Sequence, residues 1–195
     1  RKAALLELSG AANDGATVDA PRRRVDSGVG LVAHVDLQVE TFRSIHEVDR
    51  ATWDARLGAA GACSHDALAL AERVFSNQPK REHNWEFLYV LVRDAAGEPV
   101  AMTFFTTALA KDDFLMRDEV SRAVEARRAE DPYFLTSVVV SMGSMLSEGN
   151  HLWIDRTGPW RQALTRVLEV ATAECDRKQA RVRLSRDLPA GDTSV

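Results

Sequence analysis

The sequence predicts one mixed α/β (α+β) domain with helices packed on a central sheet. Three observations predict it. Residues 85–93 and 100–109 form a hairpin whose arms are apolar on both parities, as in strands covered on both faces. Trp160, Ala163, Leu164, Val167, Leu168, Ala171 and Cys175 recur at helical intervals over about five turns. Strands and helices are mixed rather than alternating, with too few βα units for a doubly wound nucleotide fold.

Taken in order, residues 1–30 show no apolar period beyond a short Leu-rich start and read as a flexible N-terminal extension or linker. Residues 31–195 form the domain. Leu31, Ala33, Val35, Leu37 and Val39 share one parity, which predicts a strand over 31–42, bent at Asp36. Asp49 caps a short helix carrying Trp53 and Leu57, which Gly58 and Gly61 end. Ser64 caps the next, with Leu68, Ala71, Val74 and Phe75 at helical spacing, and Asn77 and Pro79 stop it. Asp94, Gly97 and Pro99 turn the hairpin. A helix follows from Asp112 or Asp113 to about Ala129, with Val120, Ala123, Val124 and Arg127 as its stripe. Its outer face, Arg122, Glu125, Arg128 and Glu130, reads as solvated. Residues 134–142 are a strand, 143–158 a polar connection with a short apolar piece at 152–154, and 181–185 the last strand. Thr157 or Gly158 takes the cap position of the long helix, and Pro159 its first turn. Residues 188–195 form a tail.

Bulk properties exclude several classes. The chain has 195 residues, 45% hydrophobic and 28% charged, as in a soluble globular domain. Its net charge of −4 argues against a dedicated nucleic-acid or anionic-membrane binder. Two cysteines imply no disulfide framework and fit a reducing cytoplasm. No apolar run approaches a membrane span. The first residue is not Met, so the chain reads as an excerpt with a neighbouring domain, fused or associated.

Four stretches carry a family resemblance: Ile45-His-Glu-Val-Asp-Arg-Ala-Thr-Trp-Asp54, Phe104-Phe-Thr-Thr-Ala-Leu-Ala-Lys-Asp-Asp113, Asp131-Pro-Tyr-Phe-Leu-Thr-Ser137, and Met142-Gly-Ser-Met-Leu-Ser-Glu-Gly-Asn-His-Leu-Trp-Ile-Asp-Arg156. Together with the element order, they resemble the GNAT-like acyltransferases related to the FemAB-like, peptidoglycan-biosynthesis-recognition type enzymes. Some relatives are fused to a pyridoxal-phosphate-dependent oxoamine-synthase domain. The resemblance spans roughly residues 31–190. It implies a GNAT-like mixed, mostly antiparallel central sheet flanked by helices. It also implies transfer of an acyl or aminoacyl group to an amine acceptor. The donor would be acyl-CoA, another acyl thioester, or aminoacyl-tRNA. Asp155-Arg-Thr-Gly-Pro-Trp160 departs from the family's Arg/Gln-x-x-Gly-x-Gly/Ala loop by holding one glycine. FemAB-like enzymes hold two GNAT-like halves, and only one fits in this chain.

Candidate residues follow from chemistry. Arg156, Thr157 and Gly158 precede the long helix, where free N–H groups and the helix dipole attract a donor's phosphate. The plainer account is an ordinary capped helix. Glu148 and His151 lie in the polar connection and suit a base that deprotonates an attacking amine. The plainer account is a solvated loop with His151 packing Trp153. Lys111, Asp112 and Asp113 close the hairpin and could bind a polar substrate, or simply open the next helix. Ser144 and Ser147 form no Gly-x-Ser-x-Gly elbow. Cys63 and Cys175 read as structural, and histidines 34, 46, 65, 83 and 151 show no metal spacing. Arg177, Lys178, Arg181, Arg183 and Arg186 lack interleaved aromatics, leaving tRNA as the one nucleic-acid partner considered. Two functions are carried forward: an acyltransferase with its donor between the strands near 136–141 and 181–185, and a non-catalytic GNAT-like module that serves a partner domain.

Overall fold

A computed structural model describes residues 36–59, 61–113 and 116–185. The expected extension over 1–30 and the tail over 188–195 lie outside the described residues. Six strands form one open, mostly antiparallel sheet: β1 (Gln38–Phe42), β2 (Glu86–Arg93), β3 (Pro99–Lys111), β4 (Thr136–Met142), β5 (Leu152–Ile154) and β6 (Val182–Leu184). The order is β1-β2-β3-β4-β6, and β5 pairs with β3. Among the strand pairs of the described residues, only β4 and β6 run parallel.

The β2–β3 hairpin is the centre because its sequence lets no face meet water. Phe87, Tyr89 and Leu91 pair with Thr106, Phe104 and Met102 on one face, and Leu88 and Val90 with Phe105 and Thr103 on the other. Asp94 Oδ1 accepts the N–H groups of Ala96 and Glu98, both at 2.9 Å, which fixes the turn. The first face is covered by short helices that add Ile45, Trp53, Leu57, Cys63 and Leu68 to the core. The second is covered by α4 (Trp160–Lys178), through Ala163, Val167 and Ala171.

Helix α1 (Arg50–Trp53) passes into a π turn, Asp54–Gly58. Asp49 caps it by accepting the Thr52 N–H at 2.8 Å. Trp53 donates its indole N–H to the Cys63 carbonyl at 2.8 Å, so a fully buried ring leaves no polar atom unsatisfied. A Cβ at Gly58 would lie 2.9 Å from Asp54 Oδ1, so the Asp54 side chain would have to shift to admit one. Ser64 caps α2 (His65–Val74) by accepting the Ala67 N–H. Both caps fall where the sequence put them.

Three expectations change. The strand expected over 31–42 is Gln38–Phe42, with 31–35 outside the described residues, and Val39 is exposed because β1 is an edge strand. Helix α3 starts at Asp118, not at Asp112 or Asp113, and ends at Arg128. Its buried side chains are Val124 and Arg128, whereas Val120 and Arg127 are exposed. Arg128, read from sequence as solvated, goes inside because Asp113 is there to meet it. Pro159, not Thr157 or Gly158, occupies the cap position of α4.

Candidate functional site

β4 and β5 lie on the same edge of β3. β4 pairs with Thr106–Lys111 and β5 with Ala101–Thr103, so residues 143–151 form an excursion from one edge. Both ends of the excursion are anchored. Gly143 donates its N–H to the Phe104 carbonyl at 2.9 Å, and its own carbonyl accepts the Thr106 hydroxyl at 2.8 Å. The His151 carbonyl accepts the Thr103 hydroxyl at 2.8 Å. Ser147 Oγ accepts the Ser144 N–H at 2.8 Å, which ties the first turn of the loop. Ser144 and Ser147 are buried, while Met145 and Leu146 between them are exposed. The sequence holds no sign of this knot beyond two serines three residues apart.

His151 sits at the base of the loop, 1% exposed, with its ring edge-on to Phe104 at 6.0 Å. Gly143 lies against it with φ +72°. Glu148 is exposed near the loop tip. The two candidate bases thus occupy different environments, one in the core and one in solvent.

β6 pairs with β4 at Val139–Ser141, three of β4's seven residues. Helix α4 runs from β5 to β6 in the chain and packs on both β4 and β6. The register places Phe87, Thr106, Ser141 and Leu184 in one row across four strands. At the end of that row β4 leaves β6 and turns into the excursion at Gly143.

The loop before α4 is an Asx turn. Asp155 Oδ1 accepts both the N–H and the hydroxyl of Thr157, at 2.9 and 2.7 Å. Those bonds hold the Asp155 carboxyl below the usual carboxylate range. The donors of Thr157 therefore point inward, and the Gly158 N–H lies 3.4 Å from the Asp155 carbonyl. Arg156 places its guanidinium 4.2 Å from the Trp160 ring centre, and Arg161 lies 4.3 Å from the same ring. The first turn of α4 has no acidic residue and no side-chain cap. Two guanidiniums therefore lie on one indole at a helix start without a side-chain cap.

Lys111, Asp112 and Asp113 serve as a clamp. Lys111 pairs with Glu125 at 2.6 Å, and Asp112 accepts from the Ser137 hydroxyl. Asp113 and Arg128, each side chain 6% exposed, meet at 2.6 Å. Arg128 also donates to the carbonyls of Phe134 and Leu135, both at 2.9 Å. Its hydrogen bonds hold the Asp113 carboxyl below the carboxylate range. The clamp fixes α3 to the end of β3 and to the turn before β4. The sequence could not show this, since the partner lies 15 residues on, along a face read as solvated.

The basic run is divided. Arg177 bonds to Glu174, Lys178 bonds to Glu86, and Arg183 donates to Thr172 Oγ1 at 2.6 Å; Arg186 lies outside the described residues. Two further features escaped the sequence reading. Arg56 stands 5.1 Å from the Trp153 ring, with a buried Nε that meets no acceptor. Glu174, on a helix read only for its apolar stripe, is buried against two arginines. Among the described residues no group of three or more His, Cys, Asp or Glu could hold a metal ion, and no helix is long and apolar enough to cross a membrane. No protein-family model, curated protein or solved structure matches the chain.

Proposed function

We propose that the chain is a GNAT-like acyltransferase module, with its acyl donor at the end of β4, where pairing with β6 stops. The observation that carries this reading is the single parallel strand pair in an otherwise antiparallel sheet. It is three residues long among the described residues, and its two strands are connected through β5 and α4. Ligands of α/β sheets collect beyond the carboxyl ends of parallel strands, because backbone groups there have lost their strand partners. An amine attacks the donor carbonyl carbon, a C–N bond forms, and the carbonyl electrons move onto oxygen. Backbone N–H groups at the strand end stabilise that oxyanion. On collapse the C–S or C–O bond breaks, the leaving thiolate or alkoxide takes a proton, and the ammonium proton passes to a base. Glu148, exposed in the excursion that follows β4, is the candidate base; His151 is buried and packs against Gly143.

A donor phosphate would lie at the start of α4, held by Arg156 and Arg161. Thr157 takes no part, since Asp155 holds both of its donors. The acceptor is an amine. Thermal-shift titration with acetyl-coenzyme A, longer acyl-coenzyme A esters and aminoacyl-tRNA tests the reading. One of them should stabilise the protein, and Arg156→Ala should weaken its binding about tenfold, the worth of one charge-assisted contact. Absence of stabilisation by every donor removes the transferase.

One observation favours a non-catalytic module instead. The Asp155 carboxylate already occupies the anion position before α4. Asp155→Asn separates the readings. Under the transferase reading, removing this negative charge should tighten phosphate-bearing donors several-fold. Under the module reading donor binding stays absent in both proteins.

A further inference from the structure

A cleft of about 500 Å³ opens between the end of α2, the start of β2 and the end of α4, lined by Arg43, Glu72, Trp85, Glu86, Phe87 and Arg177 among others. Its charges are held apart. Glu72 Oε1 accepts the Ile45 N–H at 2.6 Å and the Tyr89 hydroxyl at 2.7 Å. Its Oε2 accepts the Ser44 hydroxyl at 2.7 Å. All three donors are neutral, and no described cation forms an ion pair with Glu72. Arg43 follows directly on β1 and precedes Ser44, yet it turns away and gives two bonds to Glu174, at 2.8 and 2.9 Å. Arg177 gives two more to the same carboxylate, at 2.9 and 2.6 Å.

Two cations thus share one carboxylate. Arg177 also lies 3.5 Å from Glu86, which Lys178 already neutralises. Arg43, Arg177 and Lys178 against Glu174 and Glu86 leave one positive charge over. The cleft therefore has a negative wall at Glu72 and a positive wall at Arg43 and Arg177. Phe87 and Trp85 also line the cleft, the latter stacked on Phe75 at 3.8 Å.

A ligand with only a positive charge meets the guanidiniums unfavourably, and one with only a negative charge meets Glu72. A molecule carrying an ammonium and a carboxylate satisfies both walls. We infer that this cleft binds a small zwitterion, an α-amino acid whose side chain lies along Trp85 and Phe87. The inference does not depend on acyl transfer, and its test contains no acyl donor.

The experiment is calorimetric and tryptophan-fluorescence titration of the chain with phenylalanine, phenylethylamine and phenylpropionate. Phenylalanine should saturate and bind about tenfold more tightly than either singly charged analogue. Arg177→Gln, which keeps the Arg43–Glu174 pair, should weaken phenylalanine and phenylpropionate about tenfold and leave phenylethylamine no weaker. Glu72→Gln should do the reverse for the two analogues. If Glu72→Gln fails to fold, the wild-type series and Arg177→Gln decide alone. Equal binding of all three compounds, or no saturation by phenylalanine at about 20 mM, overturns the inference.

Discussion

Replacing Gly143 by alanine should unfold the site before it touches any chemistry. A Cβ at this position lies 2.5 Å from His151 Cδ2 and 2.7 Å from two further ring atoms. The ring cannot retreat, because His151 is buried against Phe104 and its carbonyl is held by Thr103. The φ of +72° adds a backbone penalty for any residue with a Cβ. Left-handed strain of about 1–2 kcal/mol and overpacking of about 1–3 kcal/mol give a loss of about 2–5 kcal/mol. Urea unfolding of Gly143→Ala measures it. A loss under about 1 kcal/mol would show that the excursion repacks freely and that His151 is not fixed beneath it.

The second large effect belongs to Glu174, with a pH signature. Burial opposes ionisation of this carboxyl, but hydrogen bonds and charge from Arg43 and Arg177 outweigh burial and hold its pKa down to about 2, against 4.5 for a free glutamate. A lowered folded-state pKa means that the unfolded chain binds the proton first. The stabilisation is therefore complete above about 4.5 and is lost as the pH falls toward about 2. The shift sets a ceiling of about 3 kcal/mol, and half-exposed guanidiniums reduce it to about 1–3 kcal/mol. Glu174→Gln should lose this amount near neutral pH and should lose less than the wild type between pH values of about 4.5 and 2, where Asp113 and the other lowered carboxyls act equally in both proteins. Wild-type and variant stabilities should therefore converge in acid. Parallel curves would assign the acid loss to other carboxylates.

These two sites mark where sequence reading stops. The hairpin was legible because both parities of 86–93 are apolar, a property of the segment alone. Helix α4 and the Asp49 and Ser64 caps were legible for the same reason, since their signals lie within a few residues. Arg43 and Glu174 stand 131 residues apart, and nothing near either announces the other. Lys111, Asp112 and Asp113 have the composition of a binding site, but Arg128, Glu125 and Ser137 meet them. Thr157 has the composition of a phosphate loop, but Asp155 two residues earlier holds both its donors. In each case polar residues were visible and their partners were not. Apolar periodicity reports a face, whereas a polar contact depends on which distant element arrives opposite.

β3 is the common partner of three strands, one of them its neighbour in the chain and two reached only after long detours. Short loops close more readily than long ones, so the hairpin assembles before β4, and β4 before β5. The excursion holding Gly143 and His151 acquires its shape only when β5 docks. The excursion is therefore among the last parts of the chain to order, and a lesion that weakens the docking of β5 would disturb it while leaving the β2–β3 hairpin in place.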